Sequence, residues 1–169
     1  MSTTSHSTGK STRQHGSAVD QDDALSLLKA DHDKAKALFD QYEELGERAH
    51  AGKQKLALQI CTELIKHATI EEDIFYPAVR NADPDNQDSI DEAIVEHSAA
   101  KDLITQLLAM DSGEELFDAK MKVLSEQIHH HIEEEESEIF PKARKSDLDL
   151  EDLGQQMAQR KKEVLLPPH

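Results

Sequence analysis

Six residues of this 169-residue chain combine metal-ligating side chains with a spacing that lets them meet: His32, His67, Glu71, His97, His131 and Glu135. They fall into two similar halves. Asp31-His32 is followed by His67-x-x-x-Glu71, and Glu96-His97 by His131-x-x-x-Glu135. His32 and His97 each have a lysine four residues on, Lys36 and Lys101, and the two His-x-x-x-Glu units each have a proline downstream, Pro77 and Pro141. Residues four apart on an α-helix lie on one face, offset by roughly 40°. His67 can therefore reach a common point with Glu71, and His131 with Glu135.

Their neighbours put that face inward. Ile60, Leu64 and Ile74 flank the first pair, and Leu124, Ile128 and Ile139 the second. His32 follows Leu28 by one turn, and His97 follows Ile94. Burying four imidazoles and two carboxylates without partners costs several kcal/mol each. A pair of cations offsets that cost, the carboxylates bridging and the imidazoles filling terminal positions. Mixed imidazole and carboxylate ligation suits iron, manganese or zinc rather than calcium. A single histidine on an apolar face is usually a core residue, and a single His-x-x-x-Glu in an acidic helix is a common accident. The duplication in register separates this chain from both.

Other candidates rank lower. Helical phase turns His129 outward and His130 to the side, and His50 is expected in a loop. His6 and His15 fall in a Ser/Thr-rich tail. Glu63, one turn before His67, is expected beside the centre rather than in it, and Tyr76 is expected to pack between helices. The lone Cys61 permits neither a disulfide framework nor a thiolate cage.

The elements that must position these residues are helices. Aromatic residues make up 4% of the chain, Trp is absent, and Gly and Pro number 6 and 5, which disfavours a sheet. Apolar residues recur at helical spacing over four segments: Asp22 to Gly46; Leu56 through Ala78, weakening at Pro77; Asp88 to Leu108; and Glu114 to Pro141. Gly46 and Gly52 bracket the first connection, and Asp111-Ser112-Gly113 offers an N-cap to the fourth helix. Short connections imply an all-α, antiparallel up-down-up-down four-helix bundle over residues 22–146. A disordered tail is expected over 1–21, and an extension over 147–169 with an amphipathic helix, Asp149 to Val164, on the outside.

The formal net charge of −16 opposes a nucleic-acid partner and, more weakly, an anionic membrane. No secretory signal or membrane-spanning run is read from the sequence, so a cytoplasmic location is the default expectation.

At the six residues the sequence resembles the hemerythrin-like, or HHE cation-binding, family, over roughly residues 22–145. The resemblance implies a non-haem di-iron centre on His32, His67, Glu71, His97, His131 and Glu135, with manganese or zinc as lesser candidates. Two features depart from the oxygen carriers of that group. Lys101 stands where they have a further histidine, and the last helix carries His131-x-x-x-Glu135 where they have His-x-x-x-x-Asp. The position thereby opened could take water, Tyr42, Tyr76 or Glu63. The expected ligand is a small one: dioxygen, nitric oxide or peroxide. Three functions follow: a protein that binds or senses dioxygen, nitric oxide or iron; a di-iron enzyme for peroxide or nitric oxide detoxification or for ferroxidase chemistry; and a structural bundle, metal-free or with zinc. A protein partner is not identifiable from the sequence.

Overall fold

The computed structural model describes residues 23–166; the tail expected over 1–21, with His6 and His15, lies outside them. The chain is all-α. Helix α1 (Ala24–Glu43) begins at Asp23, whose side chain accepts the Ser26 N–H at 2.7 Å and satisfies one of the free first-turn donors. Its buried stripe is Leu25, Leu28, His32, Ala35, Leu38, Phe39 and Tyr42.

The second rod is longer than the sequence suggests. It runs as α2 (His50–Ile70), a π-helical turn (Glu71–Phe75) and α3 (Tyr76–Ala82) without a break. Helix α4 (Gln87–Leu108) follows a short 3₁₀ turn at Pro84–Asn86. The fourth rod repeats the second: α5 (Phe117–Glu134), a π turn (Glu135–Ile139) and α6 (Phe140–Lys145). Helix α7 (Leu150–Glu163) starts at Asp149, which accepts the Asp152 N–H at 3.0 Å.

Cross-rod pairs give the packing direction. Asp31 meets His67 and Lys34 meets Glu63. Gln54 meets Met110, and Arg80 meets Asp91. Ser89 meets Lys142, and Met110 meets Lys120. His32 meets Glu135, and Tyr42 meets Asp118. Numbers rise on one rod as they fall on its neighbour, so each of these rod pairs is antiparallel.

Two apolar clusters fill the interior. One gathers Leu38, Phe39, Ile60, Leu64, Ile104, Phe117 and Leu124. The other gathers Leu28, Ile70, Phe75, Ile90, Phe140 and Met157. The polar layer of histidines and glutamates lies between them. Helix α7 packs on α1, α2 and the first π turn, and its Met157 is fully buried. It lies against the outside of the bundle and sinks one face, Leu153, Gly154 and Met157, into the core.

Several local expectations are corrected. Pro77 does not weaken the helix. A proline lacks the N–H that would bond four residues back, and the backbone responds with an i→i+5 turn just before it: Tyr76 N–H bonds Glu71 O, and Phe140 N–H bonds Glu135 O ahead of Pro141. The fourth helix starts at Phe117, not near Glu114, and Asp111 does not cap it. Asp111 instead accepts the Gly113 N–H within the loop. The residue preceding α5 is Leu116, in the left-handed region with φ 72°. Gly52 lies inside α2, where a Cβ would touch Leu45, and His50 is the first residue of α2 rather than a loop residue.

Candidate metal centre

The structure brings all six sequence-selected residues into one layer. His32, His67, Glu71, His97, His131 and Glu135 are each at least nine-tenths buried. They form two trios, His32 with His67 and Glu135, and Glu71 with His97 and His131, each with its donor atoms within 4.8 Å of one another. The glutamates cross between the trios. Glu135 puts Oε1 3.2 Å from His32 Nε2 and Oε2 3.3 Å from His131 Nε2. Glu71 Oε1 lies 2.7 Å from His67 Nε2 and 3.4 Å from His97 Nε2. Each carboxylate thus touches one imidazole of either trio, as a bridging ligand would.

The donor atoms fit cations better than each other. His67 Nε2, Glu71 Oε1 and Oε2, both ring nitrogens of His32 and Glu135 Oε1 are buried without a hydrogen-bond partner. They crowd together at distances whose angles do not make hydrogen bonds. Ligands about 2 Å from one ion, set near right angles, stand about 3 Å apart, and these contacts span 2.7–3.4 Å. An acid stands behind each imidazole. His67 Nδ1 faces Asp31 at 3.0 Å, His97 Nδ1 faces Glu72 at 3.1 Å, and His131 Nδ1 faces Glu96 at 3.1 Å. Glu136 lies 3.6 Å from His32 Nδ1. Donation from Nδ1 to the acid fixes the tautomer that leaves Nε2 free for the centre. These acids repeat as the six do: Asp31 and Glu96 precede a histidine, and Glu72 and Glu136 follow a glutamate.

Without metal, protons take the cations' place. Burial opposes charge on His67, but the Glu71 carboxylate and the Asp31 hydrogen bond outweigh it and hold the imidazole up to a pKa of about 10. Burial likewise opposes charge on His97 and His131, and their acidic partners raise both. Burial would raise Glu135, yet the polar groups crowded against it, with the His131 and His32 imidazoles among them, carry it well below the usual carboxylate range.

Tyr76 enters the centre, contrary to the packing role expected of it. Its hydroxyl donates to Glu135 Oε2 at 2.5 Å and lies 3.2 Å from His97 Nε2. The π turn makes this reach possible. Five residues along an α-helix is about 140° off the starting face, whereas an i→i+5 turn returns to it. Phe140 holds the equivalent place in the other half and stacks on His32, ring centroids 5.7 Å apart.

The other sequence candidates lie elsewhere. Tyr42 is far from the centre and donates to Asp118 at 2.6 Å. Glu63 pairs with Lys34 at 3.0 Å at the rim of a cavity beside the centre. His129 is half-buried rather than outward, its Nδ1 2.7 Å from Ser125 O, and His130 is exposed beside Glu134. The cavity, about 40 Å³, has mostly apolar walls, among them Ala35, Leu64, Ala100, Ile104 and Ile132, and it reaches all four centre histidines. Among the described residues no helix is long and apolar enough to cross a membrane.

Known proteins give the same outline. A structure of a hemerythrin HHE cation binding domain-containing protein from Mycobacterium kansasii superposes with a TM-score of 0.69 at 27% identity, covering 83% of this chain and 86% of that one. A DNA nickase of Nostoc sp. (strain PCC 7120 / SAG 25.82 / UTEX 2576) is 28% identical over 116 residues, 68% of this chain. The chain spans about a third of that relative's length, 31%. The model of the hemerythrin HHE cation binding domain matches residues 23–143, and with the paired His/Glu trios in place the chain belongs to that family.

Proposed function

We propose that His32, His67, Glu71, His97, His131 and Glu135 hold two iron ions and that this centre binds a small apolar ligand, dioxygen or nitric oxide. The observation that carries the reading is the set of buried, unpartnered donor atoms split into two trios and spanned by both carboxylates. Imidazole and carboxylate together favour iron over calcium or magnesium, with manganese and zinc as weaker competitors. Iron supplies the redox and ligand-binding chemistry when bound. The protein's part is to fix the imidazoles through the acids behind them, to exclude bulk water, and to offer an apolar cavity beside the centre.

A second reading has its own support. The Tyr76 hydroxyl holds a proton 2.5 Å from Glu135, and burial, with Glu135 and Glu71, keeps that hydroxyl protonated far above its usual range. A proton held at the centre suits an enzyme that turns over peroxide. Nicking of DNA is not carried over from the Nostoc relative, because a net charge of −16 repels a phosphate backbone.

The test is anaerobic reconstitution with ferrous iron, metal quantitation and an absorption spectrum after oxidation. Two irons per chain with oxo-bridged ferric bands are expected, and loss of loading in His67→Ala and in His131→Ala. Fewer than one metal per chain, or full loading in both variants, refutes the proposal. Catalytic decay of hydrogen peroxide by the loaded protein would favour the enzyme; stoichiometric binding without turnover favours the carrier or sensor.

A further inference from the structure

We infer that Lys161, near the end of α7, is a positioning residue of the metal centre and acts through Asp31 on His67. The inference rests on the two-metal reading above. The Lys161 ammonium donates to Asp31 Oδ1, while Oδ2 of the same carboxylate faces His67 Nδ1 at 3.0 Å. A chain of ammonium, carboxylate and imidazole thus runs from a helix outside the four rods to a donor of the first trio. Lys161 lies beyond residues 23–143, the stretch that the family model matches.

The packing of α7 aims this side chain. Met157 is fully buried, and Lys161 follows it by one turn on the same face. That face docks on α1, α2 and the first π turn. Basic residues in a last helical turn often do no more than complement the helix dipole, and the exposed Lys162 fits that description. Lys161 differs, since its side chain is 26% exposed and that of Asp31 12%. Water screens such a pair less than one on an open surface. Arg160 bonds Asp73 of the first π turn at 3.0 Å, so it clamps α7 without touching Asp31.

The other half of the centre repeats the device. Lys101 holds both oxygens of Glu72, at 2.8 and 2.7 Å, and Glu72 Oε2 faces His97 Nδ1 at 3.1 Å. There the lysine stands one turn after the histidine on the same rod; for His67 the cation comes from α7. A carboxylate engaged at one oxygen is free to turn and exchange the imidazole for water. A cation on its second oxygen removes that freedom and keeps the imidazole aimed at the centre.

The experiment is competition with a chelator for ferrous iron under anaerobic conditions, using the full chain, with Tm measured for each variant. It compares wild type, Lys161→Met, Lys161→Arg, Arg160→Gln, Asp31→Asn and the Lys161→Met/Asp31→Asn double variant. Lys161→Met should weaken loading about fivefold, less than loss of a direct partner of a ligand, because Lys161 stands one contact further out. Lys161→Arg keeps the ion pair and Arg160→Gln loosens α7 alone, so both should stay within about twofold of wild type. The double variant should match Asp31→Asn within about twofold, since Lys161 then has no carboxylate to orient. Wild-type loading in Lys161→Met, an equal loss in Lys161→Arg or Arg160→Gln, or the same loss repeated in the Asp31→Asn background overturns the inference and leaves the centre intact. A wild-type chain that takes up no metal overturns both.

Discussion

The acids behind the imidazoles allow a graded prediction. Asp31, Glu72 and Glu96 each lie within 3.1 Å of an Nδ1, whereas Glu136 stands 3.6 Å from His32, outside hydrogen-bonding distance. Hydrogen bonds to charged partners contribute about 1.5–3 kcal/mol, and loss of such an outer partner typically costs about 10–100-fold in metal affinity. All four acids are partly exposed, and solvent screening draws the effect toward the lower end. Glu96→Ala should therefore weaken loading about tenfold, and Asp31→Ala by as much or more, since Asp31 is the most enclosed of the four. Glu136→Ala should cost less than about threefold. The assay is competition with a metal chelator of known affinity, with circular dichroism to verify that each variant is folded. If Glu136→Ala weakened loading as much as Glu96→Ala, orientation by Nδ1 hydrogen bonds would be the wrong account. Unchanged affinity in both Asp31→Ala and Glu96→Ala would refute it as well.

Two further outcomes follow from pKa shifts and backbone geometry. In the metal-free chain the raised pKa values of His67, His97 and His131 contribute stability that is fully present below the ordinary 6.5 and is lost as pH rises through the folded values, about 10 for His67. The lowered Glu135 contributes above its ordinary 4.5 and loses that contribution as the pH falls. Thermal melts of the metal-free protein should therefore peak between about pH 5 and 6.5 and decline steadily toward pH 10; a Tm that rises from pH 7 to pH 10 contradicts this. Leu116→Gly should relieve a left-handed side chain, worth about 1–2 kcal/mol, and raise Tm by about 2–8 °C; a lower Tm would show that Leu116, 61% exposed, is held there by contacts rather than strained.

The six centre residues were legible because each half obeys one rule of helix geometry and the two halves agree. The helical class was legible from the same periodicity. What escaped depended on inter-rod register or on the backbone. Asp31 and Glu96 stand beside the centre histidines in the sequence, but each serves an imidazole on the next rod, and that pairing appears only after packing. The π turns escaped because i→i+4 and i→i+5 turns share residue preferences; Pro77 and Pro141 are visible signals, but the sequence reading takes the first as a weakening and the second as the end of a helix. Tyr76 was one of three side chains named for the open position, and α-helical phase, which turns it away from Glu71, gave no reason to prefer it over Tyr42 or Glu63. The left-handed Leu116 had no signal, being neither glycine nor asparagine. Asp149 was a true cap, and it placed α7; the depth at which Met157 docks was not visible in so polar a helix.

The two π turns have a consequence for chain length. Such a turn is an α-helix with one surplus residue. Deleting Asp73 from one rod, or Ser137 from the other, would heal the helix without removing a centre residue. The shortened rod would still present Tyr76 or Phe140 to the centre, because each would then stand four residues after its glutamate, about 40° off that face. Point substitution at either position leaves the backbone count intact and should be nearly silent. The π turn thus absorbs one residue in each rod, which keeps Tyr76 and Phe140 on the side of the centre although each stands five places after its glutamate.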